Sequence, residues 1–543
     1  MKPRLLIQIV VVISVILLCT GVGIYSYLRL YAVEHQRDFN LYTLVPQDAV
    51  AVLETDRMAD LVNDVNELDC SKDNCFLYAS ELFVYLKKYL YALLEDTPHG
   101  LSKQMSKMLI SFHEPDNPMN QVLYCSLGSG DYELVGSFVQ KYCSSTFPSK
   151  YFDYKGEEIR IYPMEDGRFL SVYFTTDFLV VSFQKRLVEQ VIDASRNKKS
   201  LMNLASFRTI HADKHKNVAA TLYVRMKEVD MGKPTDGMRL QTRLGGWTEF
   251  DMKFNENAIY CSGISHRADS THTFMDALRV QKPVEGFPGA SLPSSTFFYD
   301  CWAISDRKAV FDFTARQEYA KATYSDYIKQ RDEDWMTFLN DYAGESVKAC
   351  LFYSKDTLHT APCAVMAIPV KDERMAERRL RALLHATPAE EDAPPMPKVS
   401  FNRLLYPQAL KYKKYVLPRN TLFTQMTGIT ENALYSFACF YQGDLLMAPD
   451  ATSLSAYIEA VESGDVMDET PAYEESVASL SPLYNFVMMS DLEVMLRQPE
   501  TYVRLVPNFF FRHAKFFSHF ILAVQFTCAE GVAYPNIVLL YKG

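Results

Sequence analysis

The feature that most limits what this chain can fold into is that it repeats itself. Two similar segments must fold into similar sets of elements, so the repeat sets the architecture. Near position 45 the sequence runs Leu44-Val-Pro-Gln-Asp-Ala-Val-Ala-Val52, and near 292 it runs Ser291-Leu-Pro-Ser-Ser-Thr-Phe-Phe-Tyr299. Each has a Leu or Val before Pro, a short polar step and an extended apolar run. Pro is tolerated just before a strand, where it removes no ladder hydrogen bond.

The correspondence continues along the chain. A helical stretch marked by Leu82, Leu86, Tyr89, Leu90, Leu93 and Leu94 matches one marked by Tyr324, Tyr327, Ile328, Trp335, Phe338, Leu339 and Tyr342, each with apolar residues at helical spacing. A strand pair follows, Lys107–Phe112 with Gln121–Leu127 and Lys348–Tyr353 with Cys363–Pro369, then a helix capped near Asp131 or Asp372. Two apolar runs in Arg168–Phe183 precede a helix bearing Leu187, Val191 and Ile192. Two more in Leu434–Ala448 precede a helix bearing Leu454 and Ile458. Asn217–Met226 matches Leu483–Ser490. The closing strands Phe250–Phe254 and Ala258–Ile264 match Ile521–Thr527 and Val532–Tyr541. This order predicts an α+β fold of two similar halves, 42–266 and 291–543, joined by a linker over 267–290. Short turns between successive strands predict mostly antiparallel sheets with flanking helices.

The first residues predict an address. From Leu5 to Ile24 the chain is apolar, interrupted only by Gln8, Ser14 and Thr20. A helix of ~20 residues rising ~1.5 Å each crosses a hydrocarbon core of ~30 Å. The expectation is a transmembrane helix over 5–25 behind a cytoplasmic tail of residues 1–4, where Lys2 and Arg4 stay inside. The chain would then be a single-pass protein of the inner membrane, with its bulk in the periplasm. A cleaved signal peptide is the alternative, and Thr20-Gly-Val-Gly23 matches its cleavage site poorly.

Removing Lys2, Arg4 and Arg29 from the 56 Lys and Arg leaves 53 against 66 Asp and Glu. An acidic chain lacks the basic face that nucleic acid or anionic lipid requires. Of the 11 Cys, Cys70 and Cys75 bracket a short polar loop and Cys350 and Cys363 sit on a strand pair. These are the candidate disulfides, set against the plainer reading of small buried side chains.

Known catalytic patterns do not occur. His211-Ala-Asp-Lys-His215 lacks the Glu of a zinc-protease helix and reads as a helix end. Gly128 and Gly130 follow a strand without the third glycine of a dinucleotide loop, and there is no Gly-x-Ser-x-Gly elbow. Arg331-Asp-Glu-Asp-Trp335 reads as the wet side of a helix and Glu390-Glu-Asp392 as a loop. The expectation is a protein that is not an enzyme, with no cofactor and no metal. The most unusual local feature is Asn508–Phe520. Its Phe509, Phe510, Phe511, Phe516, Phe517 and Phe520 could grip lipid or an apolar partner segment, or pack beneath the last sheet.

The positively flanked span, the Leu-Val-Pro-Gln-Asp-Ala-Val-Ala-Val run and the repeated strand-turn-strand-helix units together resemble a bacterial family of uncharacterised envelope proteins, classed as a domain of unknown function. The aromatic-rich, acidic composition is similar to that of Bacteroidetes-type proteins. The resemblance brings no catalytic residues to carry over. The span, the paired halves and the missing catalytic motifs predict a non-catalytic binding or scaffold protein that meets the membrane through its N-terminal helix and takes another envelope protein as partner, and the acidic charge excludes nucleic acid. The alternatives are a carrier or chaperone for a lipid or hydrophobic peptide, and an enzyme with an unrecognised site. The oligomeric state is left open.

Overall fold

Runs of Val, Leu, Ile, Phe and Tyr between turn residues form 21 strands among the described residues. The computed structural model describes residues 39–72, 106–113, 117, 119–128, 131–138, 141, 148–164, 166–211, 218–226, 246–265, 274–310, 326–355, 361–386, 412–417, 435–503 and 505–543. They form two compact units, one drawn from 39–49, 54–59 and 106–203 and the other from 50–53, 60–72 and 204–543. The first strand, β1 (Ala51–Thr55), contributes to both.

In the first unit the strands are β2 (Met108–Phe112), β3 (Gln121–Ser126), β4 (Lys150–Tyr154), β5 (Glu157–Pro163), β6 (Phe169–Phe174) and β7 (Phe178–Ser182). They lie in the order β4-β5-β6-β7-β3-β2, every pair antiparallel. The β4–β5 connection is the two-residue turn Lys155-Gly156, with φ of 56° and 81°. Only a turn of that hand matches the twist of the flanking strands, which is why glycine holds its second position. The helix Lys185–Asn197 buries Leu187, Val188, Val191 and Ile192 and stops at Lys198, whose φ of 53° is left-handed. Its apolar residues recur one turn apart, as a helix lying on a sheet requires.

The second unit holds β8 (Ala220–Arg225), β9 (Trp247–Asn255), β10 (Ala258–Ser265), β11 (Val284–Glu285), β12 (Thr296–Ala303), β13 (Ser346–Phe352), β14 (Cys363–Pro369), β15 (Lys414–Val416), β16 (Phe437–Tyr441), β17 (Asp444–Ala448), β18 (Leu483–Tyr484), β19 (Phe486–Asp491), β20 (Phe520–Ala529) and β21 (Val532–Tyr541). One continuous antiparallel sheet runs β8-β9-β10-β21-β20-β19-β12-β13-β14-β17-β16-β15. The pair β11 and β18 stands apart from it. The segment β16-β17-β14-β13 repeats the connection pattern of β6-β7-β3-β2 in the first unit. Likewise β19-β20-β21 repeats β8-β9-β10.

These two copies of the closing strands meet each other. β10 pairs with β21, and Ser262 stands opposite Asn536. Each is the fifth residue of its strand, so the two final hairpins are related by a local two-fold.

The expected fold class is corrected in two respects. The expected span over 5–25 lies outside the described residues, and among the described residues no helix is long and apolar enough to cross a membrane. In place of a membrane helix followed by two α+β halves, the described chain is mostly antiparallel sheet carrying some helices. The reason is the β10–β21 seam, which makes one ladder of strands from both sides of the expected linker. Part of that linker is itself core. The helix Phe274–Arg279 buries Met275 and Leu278, and the Phe274 ring meets Trp302, Phe486 and Phe526 at 5.2, 5.4 and 5.7 Å.

Apolar layers cover both faces of the second unit's sheet. One face carries Phe298, Trp302, Leu351, Met366, Phe486 and Phe520, and the other carries Tyr299, Cys301, Cys350, Val365 and Leu446. Alternation along β12 therefore puts Asp300 between Phe298 and Trp302 on the first face, 4% exposed. Its Oδ1 has no hydrogen-bond partner. Burial pushes its carboxyl up to about 8, and the Trp302 indole N–H lowers it in part.

Two outcomes follow from this packing. A Cβ at Gly263 would lie 1.9 Å from the Glu249 carbonyl oxygen of β9, which the ladder holds in place. Gly263→Ala should destabilise the chain by about 1–3 kcal/mol in urea unfolding. Asp300 is protonated in the folded state where the unfolded chain is already ionised. Stability should therefore decline as pH rises from the ordinary 3.8 towards about 8. Asp300→Asn should flatten that decline and exceed the parent in urea midpoint at pH 9.

Candidate functional site

In the first unit one acid, one imidazole and two hydroxyls meet in a line. Ser111 and His113 are two apart in a strand and its extension, so they share a face. Asp48 comes from the Pro-Gln-Asp step that precedes β1. The His113 ring bonds the Asp48 carboxylate through Nδ1 at 3.1 Å and the Ser111 hydroxyl through Nε2 at 2.9 Å. Ser111 Oγ also lies 3.1 Å from the Tyr124 hydroxyl. Although burial of Asp48 works to raise its carboxyl, the hydrogen bond and charge of His113 outweigh it and hold the carboxyl below its usual range. Tyr124 is fully buried, which drives its phenol far above the ordinary value.

Acid, imidazole and serine in that order is the arrangement of a hydrolase triad. Nucleophilic catalysis also needs a hydroxyl that substrate can reach and donors for the oxyanion beside it. Ser111 is 0% exposed, and its hydroxyl is already shared between His113 and Tyr124. The line runs from a half-exposed carboxylate into the core and ends there. Strand register, with the helix that covers the same face in each unit, sets Ser111 and Tyr124 against Phe352 and Val365 of the second unit. Phe352 and Val365 belong to the apolar core beneath the helix Ala451–Glu462. The serine and the tyrosine of the relay thus occupy positions that the counterpart fills with hydrocarbon.

A second polar strip lies in the sheet of the second unit. Lys348 pairs with Asp444 at 3.0 Å and donates to Ser291 Oγ at 2.9 Å. Tyr484 donates its hydroxyl to Cys301 Sγ at 3.2 Å. Burial keeps the Cys301 and Cys363 thiols near 11 and Cys439 near 12, so each is a protonated thiol rather than a nucleophile at neutral pH.

The residues singled out in the sequence are placed as follows. Cys350 and Cys363 are both free thiols and do not form the expected bridge. The register sets Cys350 opposite Val365 and Cys363 opposite Phe352, so they are diagonal neighbours, further apart than a disulfide spans. Cys70 is buried, and Cys75 lies outside the described residues. Phe517 and Phe520 are buried, while Phe509, Phe510, Phe511 and Phe516 pack half-buried against the same core. Their rings interlock, with Phe510 and Phe517 centroids 4.7 Å apart. The segment forms two short helices, Asn508–Arg512 and Ala514–Phe517, whose rings pack against that core. His211 bonds the Tyr223 hydroxyl at 3.2 Å, while Asp213 and His215 lie outside the described residues. Asp332 is buried rather than wet, though its neighbours Glu333 and Asp334 are exposed.

Among the described residues no group of three His, Cys, Asp or Glu could hold a metal ion. An open depression of 410 Å³ in the second unit is lined by Asp64, Glu67, Phe254, Asn255, Glu256 and Asn257. Its walls are chiefly polar, unlike the enclosed apolar pockets that hold small ligands.

The outer surface of the first unit is more distinctive. Tyr132, Tyr151, Phe152 and Phe169 are exposed there at 38, 61, 42 and 58%, whereas Tyr534 is the only exposed large aromatic among the described residues of the second unit. Cations sit over two of these rings, Arg160 at 5.4 Å from Tyr151 and Lys185 at 5.2 Å from Phe152. The sequence signal for these residues is the alternation Lys150-Tyr-Phe-Asp-Tyr154, which puts an aromatic on each face of one strand.

A family model described as a protein of unknown function, DUF3352, matches residues 107–242. That span holds Ser111, His113 and Tyr124 and the strands from β2 to β8. No curated protein matches the chain. Among solved structures, crystal form I of TP0453 is similar at 9% identity with a TM-score of 0.23, over 43% of this chain and 81% of that one. Crystal form III of TP0453 is similar at 13% identity with a TM-score of 0.24, over 46% and 90% respectively.

Proposed function

We propose that this chain is a non-catalytic binding protein, a scaffold that holds another protein against the aromatic surface of its first unit. The observation that carries this reading is the concentration of exposed rings on that unit, with Tyr151 and Phe169 more than half exposed. Large rings left in water cost free energy unless a partner covers them, and aromatic anchors dominate the energetics of protein contacts. The cations above Tyr151 and Phe152 hold those rings in position, which lowers the entropy lost when a partner docks. The buried relay adds support, because its hydroxyl is committed to the core rather than to a substrate.

A photo-crosslinking residue in place of Phe169 tests this in the native cell. It should yield one discrete adduct with a second protein, while the same residue in place of Met375, also exposed, should not. A smear or no adduct at Phe169 would remove the reading. Ser111→Ala leaves His113 and Tyr124 each short of a partner, so it should cost about 1–3 kcal/mol in thermal unfolding and keep the adduct. Hydrolysis of activated esters by the purified chain, abolished by a folded Ser111→Ala variant, would establish catalysis instead.

A further inference from the structure

The strand β4 forms one edge of the first unit's sheet. Among the described residues it pairs only with β5, and four of its five residues are exposed. Natural edges are usually guarded by Pro, a bulge, or charges that discourage pairing. β4 reads Lys150-Tyr-Phe-Asp-Tyr154, with no Pro and with rings on both faces.

Its backbone is offered in a defined way. The β4–β5 turn has two residues, so Tyr154 and Glu157 flank it as a hydrogen-bonded pair. By alternation Phe152 and Lys150 also spend their backbone groups on β5. Tyr151 and Asp153 direct theirs outward to the free edge.

We propose that β4 pairs antiparallel with β4 of a second copy of this chain, about a two-fold axis at Phe152. In that register Tyr151 and Asp153 of each copy exchange backbone hydrogen bonds with Asp153 and Tyr151 of the other. Phe152 then meets its own copy in a close, non-hydrogen-bonded pair, and Lys150 lies beside the ring of Tyr154. The strand is complementary to itself. Aromatic meets aromatic at the axis, a cation meets a ring, and a carboxylate meets a phenol. Centring the pair at Asp153 would instead set two carboxylates face to face, which is unfavourable. Pairing also gives Tyr151 and Phe152 each a neighbouring side chain on its own face.

This inference rests on the binding reading above and assigns part of that aromatic surface to self-association. The full chain should sediment as a concentration-dependent dimer. Phe152→Lys and Phe152→Asp should each shift it to monomer by placing like charges on the axis, and mixing the two variants should restore a dimer. Phe152→Cys should cross-link between copies under mild oxidation, and Phe169→Cys, at a more exposed position, should not. A monomer at all concentrations overturns the pairing, even if the Phe169 adduct with another protein still forms. So does a dimer that survives Phe152→Lys, or a mixture of the two charged variants that stays monomeric while each remains folded.

Discussion

The second unit depends on the hydrogen bonds between β10 and β21. These strands close two sets of elements that lie far apart in sequence, yet they run in register from Ala258 opposite Leu540 to Ser265 opposite Ala533. With that ladder in place the sheet is unbroken from β8 to β15, and both its faces can be covered by apolar layers. Without it each closing hairpin would expose an unpaired edge. The helix Phe274–Arg279, placed between the two sets of strands in sequence, then has a ready apolar surface in Trp302, Phe486 and Phe526.

Polar groups inside this protein fall into two kinds. The Asp48–His113–Ser111–Tyr124 line is satisfied at each step by a neighbour, so it can lie in the core at modest cost. Asp300 is not satisfied, and it avoids the penalty of a buried charge by keeping its proton. Neither arrangement presents a reactive group to solvent. Among the described residues the two most exposed aromatic rings, Tyr151 and Phe169, both belong to the first unit.

Much of the local structure is legible in the sequence. The strand pair expected over Lys107–Phe112 and Gln121–Leu127 appears as Met108–Phe112 with Gln121–Ser126, because apolar runs there are bounded by polar loops. The helix after Asp372 is capped by that residue, whose Oδ1 accepts from the Met375 N–H at 3.1 Å. The Leu454 and Ile458 helix is likewise capped by Asp450. What is not legible depends on contacts between distant residues. Nothing in the order of residues brings Asp48 to His113, 65 positions away, or sets Cys350 beside Val365 rather than Cys363. The Phe-rich segment is ambiguous from composition alone, since interlocked core rings and an exposed patch share one sequence pattern. In the fold, Phe517 and Phe520 are buried and the other four rings pack half-buried against the same core.

The local two-fold at Ser262 and Asn536 also bears on how such a chain can change over time. A seam held by main-chain groups is indifferent to which side chains it carries, provided they suit a strand and no bulky atom intrudes as at Gly263. Substitutions could therefore accumulate separately on either side without parting the sheet. Elsewhere the two sets of strands have diverged in the same manner, with Phe352 and Val365 in one where the other holds a serine and a tyrosine. Strand order outlasts residue identity here because the join never depended on identity.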